Sequence, residues 1–229
     1  MERVFLLTND DGWDAPGLRS LQGVVERLGP GRVVAPDGPY SGCGHRVTTH
    51  ETLEVGLGPG GERIVSGTPA DCVRLALHHL VPEANFVLSG INPGGNLGID
   101  VYHSGTVAAV REAVLHGIPG VAISHYIARG RQIDWDVAAR WTGQVLIQLL
   151  ERPWEPGTFW NVNLPHLAPD ALDPEIVFCP LDTSPLPLQF HVDGNQALYT
   201  GDYQSRRRVP SRDVDVCFGG KIAVTLIRL

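Results

Sequence analysis

The chain has 229 residues, 43% of them apolar and 19% charged, which excludes a disordered polypeptide and leaves room for one large α/β domain. A formal net charge of -7 disfavours nonspecific binding to DNA or RNA, so no nucleic-acid polymer is expected as a partner. No window approaches about 20 uninterrupted apolar residues, so no membrane partner is expected either.

Met1 runs directly into a strand pattern, with no basic leader or small-residue cleavage site. Cys43, Cys72, Cys179 and Cys217 are scattered without a C-x-x-C pair, which argues against a zinc ribbon or a disulfide framework. Both features predict a reducing, cytoplasmic setting.

In chain order, "RVFLLTN" (3–9) is a short apolar run rich in β-formers and predicts a strand. "APGLRSLQGVVERL" places Leu18, Leu21, Val25 and Leu28 at helical spacing behind Pro16, and "GRVVAP" is the next strand. Strand, helix and strand in such a short span predict a parallel, right-handed βαβ unit. "ERIVSG" is a strand. "TPADCVRLALHHL" is a helix with Thr68 as N-cap and Pro69 at its first position, carrying His78 and His79 on its surface. The alternation continues through "NFVLSG", "TVAAVREAVLHG", "GVAIS" and "WDVAARWTGQVLIQLLE". This predicts a Rossmann-like, mostly parallel sheet with helices on both faces.

After Glu151 the character changes. "RPWEPGTFWNVNLP" is dense in Pro, Gly and Trp, "PLDTSPLPLQF" reads as irregular, "QALYTGDYQSRRRV" as a hairpin or protruding arm, and "KIAVTLIRL" as a closing strand. The expected organisation is a single domain over 1–229. Its core covers about 1–165, and about 166–229 form an irregular arm and closing strand.

Ligands of an open parallel sheet collect outside the carboxyl ends of its strands. There the sequence places Asn9-Asp10-Asp11-Gly12, the loop "PDGPYSGCGHRVT", "SGTPAD" and "SGINPGGNLGIDVYHSGT". Adjacent carboxylates at Asp10 and Asp11 suit a hard divalent cation of the Mg²⁺ or Mn²⁺ type, with Ser41 and Asn92 as neutral oxygen donors at neighbouring strand ends. The plainer reading is one capping aspartate and one solvated aspartate in ordinary Asp-Gly turn chemistry. Ser104, Gly105 and Thr106 open a helix, where free N–H groups and the dipole favour a phosphate; simple capping is the alternative. "SGINPGGNLG" is neither a dinucleotide fingerprint nor a P-loop, since no G-K-[ST] follows. His45 and His103 are the histidines nearest this edge, and either could protonate a leaving group or simply be a satisfied loop residue. "RRR" at 206–208 could meet an acidic substrate or a neighbouring subunit, or be solvated.

The motifs "LLTNDDG", "VVAPDGPYSGCGHRVT", "SGTPADCVRLAL", "LSGINPGGNLGIDVYHSGTVAAVREAVLHGIPGVAIS" and "NVNLP" occur in that order. Together they closely resemble the survival protein E (SurE) family of metal-dependent nucleotidases, and "RDVDVCFGGKIAVTLI" resembles its closing stretch. The resemblance implies removal of phosphate from nucleoside 5′- and sometimes 3′-monophosphates, with one divalent metal ion per subunit. Carried over by motif position, Asp10, Asp11, Ser41 and Asn92 would hold the metal. Asn96, Ser104, Gly105 and Thr106 would hold the phosphate, and Asp10 or Asp11 would act on the attacking water. It also implies a homodimer or homotetramer formed through the C-terminal hairpin or tail. Two departures stand out: the "TRxGxR" common in the family is missing around "FCPLDTSPLPLQF", and the hairpin at "QALYTGDYQSRRR" is altered. Non-enzymatic nucleotide sensing and nucleotide-sugar transfer remain rival readings of the same residues.

Overall fold

A computed structural model describes residues 2–168 and 171–229; Pro169 and Asp170, part of the expected irregular arm, lie outside the described residues with Met1. The first half begins with β1 (Phe5–Thr8), α1 (Pro16–Val25) and β2 (Gly31–Pro36). The alternation is then interrupted by β3 (Val55–Leu57), a short exposed strand not expected from sequence, before β4 (Arg63–Val65). Next come α2 (Pro69–Leu75), continued as a wider π turn over Ala76–Leu80, and β5 (Phe86–Pro93). A 3₁₀ turn (Gly98–Tyr102), α3 (Gly105–Leu115), β6 (Gly120–His125) and α4 (Trp135–Leu150) follow. The remainder contains β7 (Thr158–Leu164), β8 (Ile176–Phe178), β9 (Phe190–Asp193), β10 (Gln196–Tyr199), α5 (Asp213–Phe218) and β11 (Ile222–Arg228).

The main sheet has nine strands in the order β3-β4-β2-β1-β5-β6-β7-β11-β8. Every pairing is parallel except β3 with β4 and β11 with β7. From β1 the chain adds strands on one side through β2 and later on the other through β5, so the topological switch point lies between β1 and β5.

Side-chain alternation along the buried strands builds two cores. Leu7, Val33, Ala35 and Leu88 meet Leu18 and Leu21 of α1 and Val145 and Leu146 of α4 on one face. Leu6, Val34 and Val87 meet Cys72 and Val73 of α2 and Ala109 and Ala113 of α3 on the other. At about 25 cal/mol per Å² of apolar surface, this burial is the dominant favourable contribution to folding. Thr68 caps α2 as expected, in a reciprocal capping box with Asp71.

The Pro-, Gly- and Trp-dense stretch 152–165, inside the expected core but assigned no element from sequence, supplies the interior strand β7. It is buried on both faces and carries Asn161 and Asn163 at positions where an ordinary strand pattern has Val or Ile. The hairpin also lies earlier than expected. β9 and β10 form it around Gly194, whereas 203–209 fold back onto the core. All four cysteines are free thiols. Among the described residues no helix is long and apolar enough to cross a membrane.

Candidate active site

The "NDDG" turn is fixed by its own first residue. Asn9 donates from Nδ2 to the Gly12 carbonyl at 2.9 Å and accepts the Gly12 N–H at 3.3 Å, closing the loop around the two aspartates. Gly12 has φ +112°, a backbone that a side chain would strain. Asn9 has no place among the expected site residues, yet Asx-turn chemistry is its signal.

Asp10 is buried and lies against the start of α3. The Thr106 hydroxyl donates to Asp10 Oδ1, and a Cβ added at Gly105 would lie 2.8 Å from the Asp10 Cβ. Burial pushes the Asp10 carboxyl up, opposed by the Thr106 hydroxyl and by the N–H groups of Thr106 and Gly105. Asp11 is pushed up to about 7, by burial first and then by the charge of Asp10. Its Oδ2 is buried without a hydrogen-bond partner among the described residues. Neither carboxylate forms an ion pair with a basic side chain there.

Two adjacent carboxylates, both raised by burial and Asp11 also by the charge of Asp10, with an orphaned oxygen, fit a hard cation as their missing counter-charge. Among the described residues no group of three or more His, Cys, Asp or Glu side chains is placed to hold a metal. The expected set does not need one, since it combines two carboxylates with neutral oxygens. Ser41 sits on an exposed turn whose neighbour Tyr40 donates its N–H to the Asp10 carbonyl at 2.8 Å. Asn92, at the end of β5 beside β1, gives Nδ2 to the Gly94 carbonyl at 2.8 Å, and that bond leaves Oδ1 to other partners.

The expected phosphate residues divide. Gly105 and Thr106 lie at Asp10, and the Ser104 hydroxyl accepts the Val107 N–H at 3.1 Å as an N-cap. Asn96 instead points into the sheet edge. Its Nδ2 donates to Ser124 Oγ at 2.8 Å, its N–H goes to Asn163 Oδ1, and its carbonyl accepts from Asn161 and Asn163. This network explains why β7 carries asparagines at its carboxyl end: they anchor the glycine-rich loop from below.

His45 is engaged elsewhere. Its Nε2 is 2.7 Å from Glu112 Oε2 on α3, with His116 at 2.8 Å and Arg74 at 3.5 Å from the other oxygen. The 37–48 loop is thereby tied to α3. His103 ends the 3₁₀ turn, exposed, and its carbonyl accepts the Gly44 N–H. Burial pushes Glu112 up, but the hydrogen bonds and charges of His45 and His116 outweigh it and hold the carboxyl below its ordinary value. Stability from this group is present above the unfolded value near 4.5 and is lost as pH falls through the lower folded value. Glu112→Gln should therefore flatten the acid limb of a thermal-stability-against-pH curve. An acid limb identical to wild type would refute the anchor.

The family model described as Survival protein SurE matches residues 5–183. The chain belongs to the SurE family. It is 53% identical over 227 residues, covering 99% of this chain and 100% of the relative, to a Nostoc sp. protein named "Putative 5'-nucleotidase alr3139". It is 42% identical over 173 residues to "5'-nucleotidase SurE" of Geobacter sulfurreducens, covering 75% of this chain and 66% of that one. The crystal structure of the SurE protein from Aquifex aeolicus superposes with a TM-score of 0.87 at 30% identity, over 98% of this chain and 93% of that one. That superposition covers more of this chain than the family model, which ends at residue 183.

Proposed function

We propose that this SurE-family nucleotidase hydrolyses nucleoside 5′-monophosphates, and 3′-monophosphates as second substrates, to nucleoside and phosphate. The reading takes one divalent cation, Mg²⁺ or Mn²⁺, held by Asp10, Asp11, Ser41 and Asn92. The observation that carries it is the pair of buried Asp10 and half-buried Asp11 at the N-terminus of α3, both raised in pKa and without a basic partner among the described residues.

When bound, the cation supplies charge neutralisation for a phosphate dianion and a lowered pKa for water. The protein's own groups do the rest. Gly105 and Thr106 present the N-terminal amides of α3 towards an anion, and Thr106 fixes the Asp10 carboxylate that faces it. Asp11, whose carboxyl is pushed to about 7, is suited to orient or deprotonate the attacking water near neutral pH. Asn96 reaches a phosphate only by exchanging its Ser124 bond or by using its second amide hydrogen.

The test is phosphate release from a panel of 5′- and 3′-monophosphates after chelation and after Mg²⁺ or Mn²⁺ is restored. Turnover that disappears with chelator and returns with metal supports the reading. A folded protein that binds metal and nucleotide without turnover replaces it with the sensor reading.

We also propose that the β9–β10 ribbon meets a second copy in a homodimer or homotetramer. Phe190, Val192, Leu198 and Tyr199 are all exposed on it, and an isolated two-stranded ribbon is marginal in water. Val192→Asp with Leu198→Asp should yield a monomer by light scattering; an unchanged mass would refute this contact.

A further inference from the structure

In the arginine run at 206–208, Arg207 and Arg208 are exposed, but Arg206 is not solvated. Arg206 is 5% exposed and its Nη1 lies 2.6 Å from Asp100 Oδ2, while Nη2 donates to the Leu97 carbonyl at 3.2 Å. Beside it, the Tyr203 hydroxyl is 2.9 Å from the same Asp100 oxygen and 3.2 Å from the Gly95 carbonyl. The guanidinium also sits 5.0 Å from the Tyr203 ring centroid. Slightly further along, Asp213 accepts the Gly98 N–H at 2.7 Å and the Asp182 N–H at 2.7 Å.

Thus the Gly95–Asp100 loop is held from two sides. From the sheet it is gripped through Asn96 by Ser124, Asn161 and Asn163. From the C-terminal segment it is gripped through the Gly95 and Leu97 carbonyls and the Asp100 carboxylate. Asp100 in turn accepts the Leu97 N–H at 3.3 Å, and its carbonyl accepts the Ser104 N–H that leads into α3. A buried ion pair of this kind is a weak source of stability, because desolvation offsets the attraction, but it defines one geometry sharply. Two of the bonds go to backbone carbonyls of a glycine-rich loop whose one apolar anchor, Leu97, is buried against Val214 and Cys217 of the same C-terminal segment.

We propose that Tyr203 and Arg206 are positioning residues for the nucleotidase reaction, setting the Gly95–Asp100 loop and, through Asp100, the Ser104–Thr106 helix start at the substrate phosphate. The inference rests on the functional reading above. Neither residue is required to touch substrate; they act through Asp100, Leu97 and Gly95. The far end of the chain therefore governs a loop that lies about a hundred residues earlier in sequence.

The experiment compares wild type with Tyr203→Phe, Arg206→Lys and Arg206→Met in the full chain. It reads nucleotide kcat and KM, calorimetric binding of inorganic phosphate in the presence of Mn²⁺, melting temperature and amide exchange over residues 94–104. Tyr203→Phe removes one hydroxyl and should weaken phosphate binding and lower kcat/KM roughly tenfold, with faster exchange confined to 94–104. Arg206→Met should do more, and Arg206→Lys should recover part of the loss. A Tyr203→Phe protein with wild-type phosphate affinity and wild-type exchange overturns the proposal, even if Arg206→Met fails to fold. Wild type that hydrolyses no nucleotide would remove the nucleotidase reading, while weakened phosphate binding in Tyr203→Phe would still support the clamp.

Discussion

On the proposed function, Asp10→Asn is expected to lower kcat/KM by about a thousandfold or more, since it neutralises one of the two carboxylates proposed to hold the cation. Asp11→Asn should be comparably inactive but differ in stability. In the metal-free protein Asp11 is a partly buried carboxylate repelled by Asp10, and its Oδ2 has no partner among the described residues. Its replacement by a neutral amide should raise the metal-free melting temperature by roughly 2–4 °C, equivalent to about 1 kcal/mol. The wild-type protein should gain stability as Mn²⁺ or Mg²⁺ is added, because a ligand bound only by the folded state stabilises it. The variant should not. Differential scanning fluorimetry with chelator and with metal checks both statements. Wild type indifferent to every divalent cation would remove the metal reading altogether.

Gly17→Ala is the other large effect, and it arises outside the chemistry. A Cβ at this position would lie 1.9 Å from the Ile91 carbonyl oxygen and 2.9 Å from its carbon, far inside contact distance. Both clashing atoms are backbone, so α1 must lift or the end of β5 must move. The expected cost is on the order of 3 kcal/mol or more, typical of overpacking that forces a backbone shift. Ile91 precedes Asn92, so metal-induced stabilisation should weaken as well. Gly23→Ala supplies the internal control. It occupies the same helix, nothing lies within 4 Å of the added Cβ, and it should stabilise by about 0.5–1 kcal/mol. Urea unfolding of the two variants beside wild type decides the matter; equal midpoints would contradict the close approach.

From Phe5 to Leu150 the order of elements was legible, apart from the short exposed strand β3, because the rest have a clear period. Leu18, Leu21 and Val25 mark a helix face, and "FLLT" and "GVAIS" mark buried strands. β7 escaped for a physical reason. Its inward positions include Asn161 and Asn163, whose amides satisfy the loop above, so function overrode the apolar pattern that marks a central strand. Arg206 escaped similarly: a basic run in sequence gives no sign that one member meets Asp100, 106 positions earlier. The pairing of Asp10 with Asp11 could be read directly, but the tie from Thr106 to Asp10 depends on how α3 crosses the sheet edge.

The placement of β11 bears on how this chain comes to be folded during synthesis. It is the final strand in sequence, yet it is hydrogen-bonded between β7 and β8, antiparallel to one and parallel to the other. Until residues 222–228 leave the ribosome, β7 presents a bare, apolar edge and β8 has no neighbour to pair with. At translation speeds of about 5–20 residues per second the nascent chain carries that open edge for several seconds. Assembly from β1 to β7 can proceed as the chain emerges, but sealing the sheet must wait for its last strand. A stalled or clipped product lacking β11 would therefore display a template for intermolecular strand addition.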